Sequence, residues 1–105
     1  MSFSSDRAAL DCLCDLAFEQ GFAIDVTFEE GETIASSCTT RAAVFEAVSA
    51  TADPVKLKLR RGGPLFGVFL VLLQDDPECL VADHSDNDVC NAIAALWSAR
   101  AEATA

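Results

Sequence analysis

The chain has no tyrosine, one histidine, one tryptophan and three prolines among its 105 residues. A single histidine excludes a multi-histidine metal site, and neither a glycine-rich phosphate loop nor a nucleophile elbow is present. Cations are scarce as well, with seven Lys and Arg against seventeen Asp and Glu and a formal charge of −10. A field of that sign repels phosphate backbones, so direct nucleic-acid binding is not expected. The longest apolar run, 65–73, has nine residues, roughly half of the ~20 that a membrane-spanning helix needs. Residues 1–7 lack the basic start and apolar stretch of a secretory signal, so the expectation is a cytoplasmic protein without membrane contact.

The two-residue spacer of zinc knuckles and thioredoxin-like motifs is missing between any of Cys12, Cys14, Cys38, Cys79 and Cys90. On a helix, Cys12 and Cys14 point about 200° apart and cannot share a metal from one face. The five thiols therefore read as reduced and mostly buried small hydrophobes, with a reactive thiol as the alternative. Neither metal nor cofactor is expected.

What remains suits a globular domain: 51% apolar and 23% charged residues, at a length that fits one domain over 1–105. Residues 6–20 place Ala9, Leu10, Leu13, Leu16 and Ala17 on one helical face, with Ser5 or Asp6 as N-cap and Gly21 as stop. Residues 22–28 alternate as a half-buried strand, Glu29-Glu30-Gly31-Glu32 is a turn, and 33–36 returns to close a hairpin. A second helix over 40–51, capped by Thr39 or Thr40, carries the stripe Ala43, Val44, Ala47 and Val48.

Residues 55–60 alternate again, and after Arg61-Gly62-Gly63-Pro64 the run 65–73 is apolar on both faces, as in a central strand with Gly67 as a bulge or close-packing point. A turn at 74–78 leads to a short strand over 79–82. Ser85 and Asp88 form a capping box for a last helix whose apolar face is Val89, Ile93, Leu96 and Trp97. The predicted fold is α+β, a mainly antiparallel sheet of four to five strands with three helices. Its order is helix-strand-strand-helix-strand-strand-strand-helix.

A weak internal repeat runs through this order. Asp6-Arg7-Ala8-Ala9-Leu10 and the strand that follows parallel Thr40-Arg41-Ala42-Ala43-Val44 and its strand. One copy closes on Glu29-Glu30-Gly31 and the other on Arg60-Arg61-Gly62, so the matching turns carry opposite signs.

Charge is unevenly spread. Residues 1–38 hold eight acids and only Arg7, 75–105 hold seven and only Arg100, while 39–74 carry five cations against Glu46 and Asp53. Two kinds of candidate surface follow. The acidic one comprises Asp11, Asp15 and Glu19, every fourth residue of the first helix, the turn acids Glu29, Glu30 and Glu32, and a second cluster of Asp75, Asp76 and Glu78. Each reads either as a solvated face or as contact with a basic partner. The basic one is the stripe Lys56, Lys58, Arg60 and Arg61, which either pairs with Asp25, Thr27 or Glu29 of a neighbouring strand or binds an acidic surface, a second copy included.

If helices cover one sheet face only, an apolar set on the 65–73 strand is left uncovered, which marks an interface. An enzyme would have to use Asp83 and His84, in the polar run 83–88.

The segments Phe66-Gly67-Val68-Phe69-Leu70-Val71-Leu72 and Val81-Ala82-Asp83-His84-Ser85-Asp86-Asn87, followed by a helix, resemble a loose group of short acidic proteins carried by phages and other mobile elements. The resemblance covers about residues 55–103 and brings no catalytic residues. It implies a small cytosolic protein of the kind that includes anti-CRISPR inhibitors, which occupy the nucleic-acid or subunit surface of a host complex. The expected function is a non-enzymatic inhibitor of a basic, nucleic-acid-binding partner; the alternatives are a self-associating homodimer and, behind it, a small enzyme.

Overall fold

Three helices and five strands follow one another in the predicted order. The computed structural model describes residues 3–103. It places α1 at Asp6–Glu19, β1 at Ala23–Phe28, β2 at Thr33–Cys38, α2 at Arg41–Ser49, β3 at Val55–Arg60 and β4 at Leu65–Val71. A 3₁₀ turn at Pro77–Cys79 precedes β5 at Val81–His84 and α3 at Asp88–Ala103. The strands form one sheet in the order β2-β1-β3-β4-β5, and every neighbouring pair is antiparallel. This is an α+β fold.

Helix starts follow local chemistry. The Ser5 hydroxyl accepts from the Ala8 N–H at 3.1 Å and the Thr40 hydroxyl from the Ala43 N–H at 3.2 Å, each satisfying an amide that has no partner within its helix. The cap of α3 departs from expectation, because Asn87 takes the place predicted for Ser85. Its Oδ1 accepts from the Cys90 N–H at 2.8 Å. Ser85 is bound into the sheet instead: its hydroxyl accepts from the Val68 N–H at 3.0 Å and its own N–H donates to the Val68 carbonyl at 2.9 Å. Pairing with β4 therefore carries the chain two residues further before the helix begins. Cys79 lies in the 3₁₀ turn and the last strand runs over 81–84 rather than 79–82.

The alternation read in residues 55–60 is realised in full. Val55, Leu57 and Leu59 are buried while Lys56, Lys58 and Arg60 are not. Cross-strand register extends the division, setting Ile24 beside Leu59, Val26 beside Leu57, and Phe69 on the other side of Leu57. These side chains share one core with Leu10, Leu13 and Leu16 of α1, Val44 and Val48 of α2, and Ile93 and Trp97 of α3. All three helices thus lie on the same side of the sheet. The Trp97 indole N–H donates to the Ala9 carbonyl at 2.9 Å and ties α3 to α1.

Two sequence readings of apolar faces need correction. Cys90, Ile93 and Trp97 form the buried stripe of α3 and leave Leu96 48% exposed, since adjacent residues on a helix are about 100° apart. β4 is interior but fourth in the sheet, and β3 holds the middle. Its register skips one residue: Leu59 faces Gly67, and the next pair is Arg60 with Leu65. Phe66 is the extra residue of this bulge, and its ring packs 5.3 Å from that of buried Phe22. The bulge therefore breaks simple alternation along β4. Gly67, Phe69 and Val71 go to the core, and Leu65, Val68 and Leu70 go to the other face.

Candidate functional site

The sheet face turned away from the helices is striped by register. One row across it runs Thr27, Lys56, Leu70, Asp83, and the next runs Asp25, Lys58, Val68. Lysines on β3 thus form a basic line beside an apolar line on β4, which Leu65 extends at 48% exposure. A shallow groove of about 290 Å³ lies along them, lined by Lys56, Val68, Leu70, Asp83, His84 and Ser85.

The four basic residues are not equivalent. Arg60 donates from Nε to Asp25 Oδ2 at 2.6 Å and from Nη1 to the Gly63 carbonyl at 3.2 Å. Asp25 accepts a second bond from the Ser37 N–H at 2.7 Å, which fixes the kinked edge strand where Ser37 takes a positive φ of 53°. Arg61 lies off the stripe, its guanidinium 4.5 Å from the Phe22 ring centre and 5.0 Å from that of Phe66. Lys56 and Lys58 have neither an ion pair nor a hydrogen bond among the described residues. Next to Lys56 in register, Thr27 is 2% exposed and its hydroxyl has no partner.

The acidic residues divide as sharply. Along α1, Arg7 meets Asp11 at 3.3 Å and Arg41 grips Asp15 with both arms of its guanidinium, Nε to Oδ1 at 2.8 Å. These bonds from Arg41 hold the Asp15 carboxyl below the usual carboxylate range. Glu19 faces Arg100 at 3.5 Å. Three arginines from three parts of the chain thus pair with the ridge of Asp11, Asp15 and Glu19, while the Glu19 side chain stays 60% exposed. Glu29, Glu30 and Glu32 stand exposed at the β1–β2 turn with no cation beside them among the described residues. With Phe28, Asp53 and Pro54 they border an open cleft of about 640 Å³. Asp75 and Asp76 are exposed on a loop that Asp6 anchors, its Oδ2 accepting from the Gln74 and Asp75 N–H groups at 2.9 and 2.8 Å. The Glu78 side chain lies outside the described atoms.

The repeat noted in sequence gains a spatial meaning here. β1 and β3 are antiparallel, with Ala23 opposite Arg60 and Phe28 opposite Val55. The acidic turn after β1 and the basic turn after β3 therefore sit at opposite ends of the sheet.

The Asp83 carboxylate and the His84 ring share no hydrogen bond. Successive strand residues point to opposite faces; Asp83 sits beside Leu70 on the open side, and the His84 ring packs 5.5 Å from Phe69. Asp83 Oδ1 accepts from the backbone N–H of His84, whose Nδ1 lies 2.9 Å from the Ser85 carbonyl. No group of three His, Cys, Asp or Glu side chains among the described residues is placed to hold a metal. No described helix is long and apolar enough to cross a membrane.

No disulfide joins any of the five cysteines. Burial, reinforced by Asp11 and Asp15, pushes the Cys14 thiol up to about 12, and burial also raises Cys12, Cys38 and Cys90. The thiolate is the nucleophile, so iodoacetamide at neutral pH should label exposed Cys79 first and Cys14, Cys38 and Cys90 only after unfolding. Intact mass followed by peptide mapping reads this order, and a first adduct on Cys14 contradicts the packing of α1.

No family model, curated protein or solved structure matches this chain. The basic stripe was legible from alternation alone. The arginine pairing of the α1 ridge was not, since Asp15 and Arg41 are 26 residues apart. The unpartnered Thr27 had no signal in the sequence beyond its place in a strand.

Proposed function

We propose that this chain is a non-enzymatic interaction protein that binds a protein partner through its uncovered sheet face. The observation that carries the reading is the one-sided placement of the helices. It leaves Leu65, Val68 and Leu70 beside two unpaired lysines, and a sheet ordinarily buries its apolar face against another layer. Captured from lysate with the full chain as bait, the partner should be lost when Val68 and Leu70 are replaced by serine, with the circular-dichroism spectrum unchanged. Retention of the same partner by the folded double variant sinks the reading.

A second surface supports a second reading. Glu29, Glu30 and Glu32 project without cations beside them, as a mimic of nucleic-acid charge would present them to a basic groove. In its concrete form this is an anti-CRISPR-type inhibitor that blocks a nucleic-acid-binding complex. Reversal of all three to lysine should abolish salt-sensitive capture of a basic partner, whereas unchanged capture excludes this turn.

A further inference from the structure

We infer that the uncovered face takes an acidic amphipathic helix of a partner protein, laid along β3 and β4 as a third layer. The inference rests on the reading that this face is an interface, and it names the occupant.

Charge comes first. Lys56 and Lys58 have no carboxylate within ion-pair distance among the described residues, and Asp25, which stands across from Lys58, is already engaged by Arg60, next on the same line. In a chain of net charge −10, such a line fits a partner that brings its own acids. At physiological ionic strength the screening length is about 8 Å, so the nearby lysines rather than the distant net charge govern the docked state.

Geometry selects the helix. Two lysines two apart on a strand are separated by about 6.6 Å, and acids four apart on a helix are separated by about 6 Å along its axis. The apolar line on β4 runs about 4.8 Å to the side of the lysines. A helix about 10 Å across covers both lines at once, its apolar stripe on Leu65, Val68 and Leu70 and its acidic flank on Lys56 and Lys58. Six strand residues span about 20 Å, the length of roughly 14 helical residues.

A second copy fits less well. Stacked face to face, two sheets set lysine over lysine if the two-fold axis crosses the strands, and lysine over Val68 and Leu70 if it runs along them. The face, about 20 Å by 19 Å, also offers about half of the ~800 Å² per partner of a standard stable interface.

The test uses fluorescence anisotropy of a 14-residue probe peptide with leucines at helical i, i+3, i+4, i+7 spacing and glutamates flanking them, titrated with the full chain. Its controls are the same peptide with lysine for glutamate and a scrambled version. The glutamate peptide should bind in preference to both. The K56E/K58E variant should bind it at least about tenfold more weakly and prefer the lysine peptide, while K56Q/K58Q loses the glutamate peptide without gaining the other. Equal binding of the controls, unchanged binding by the charge variants, or no binding at millimolar peptide overturns the inference.

Two outcomes separate it from the reading beneath it. A partner lost on Val68→Ser with Leu70→Ser but kept by K56E/K58E leaves the interface standing and removes the acidic helix. Sedimentation that shows a dimer of the chain, dispersed by Leu70→Glu, assigns the face to a second copy instead.

Discussion

Gly67→Ala should destabilise the protein by about 1–3 kcal/mol, the range for a methyl group forced into a filled core. A Cβ built on Gly67 lies 2.2 Å from the Cys90 sulfur and 3.5 Å from Asn87 Nδ2. Cys90 is fully buried in the first turn of α3 and Asn87 caps that helix, its Nδ2 also donating to the Phe66 carbonyl at 3.0 Å. The added methyl therefore drives the start of α3 off β4, and the cap and the sheet contact are disturbed together. Denaturant unfolding should show a lower midpoint at an unchanged slope. Cys90→Ala in the same chain removes the clashing atom, so the double variant should be more stable than the sum of the two single losses predicts. Strict additivity would show that the obstruction is elsewhere.

Phe69→Ala and Leu70→Ala should differ widely although the residues are neighbours. Phe69 is 1% exposed and sits between Leu57 and His84 on the helix side of β4. Its loss should cost about 3–5 kcal/mol, a large part of the ~5–15 kcal/mol by which a small domain is stable. Leu70 lies on the uncovered side and is half-buried only by its own sheet neighbours, so truncation should cost about 1 kcal/mol or less. Its effect belongs in partner binding. The same unfolding curves measure both, and equal losses would mean that another layer covers the open face.

Most of the elements were legible because their signals are local. The caps Ser5 and Thr40, the stop at Gly21 and the 55–60 alternation each depend on residues within one turn or one strand of each other. Ser85 misled because the sequence of a capping box does not record whether its serine is needed elsewhere, and here the Val68 N–H claims the hydroxyl. Leu96 misled because it is the larger residue, while Cys90 and Ile93 face the sheet. The acidic ridge of α1 is visible in sequence as a row of charge, yet its ion pairs to Arg41 and Arg100 are not, since only packing brings those residues near.

The order of helices and strands, the net charge of −10 and the alternation that makes β3 basic on one side are all readable from the residues alone. These follow from backbone repeats of 3.6 and 2 residues and from composition, which need no knowledge of distant neighbours. It takes the folded chain to reveal that the strands run β2-β1-β3-β4-β5, that Phe66 bulges toward Phe22, and that all three helices choose the same face. Those outcomes depend on contacts between residues far apart in the chain, where packing volume and hydrogen-bond satisfaction across the whole core select one arrangement. The open face with its lysines beside Val68 and Leu70 is a product of that selection.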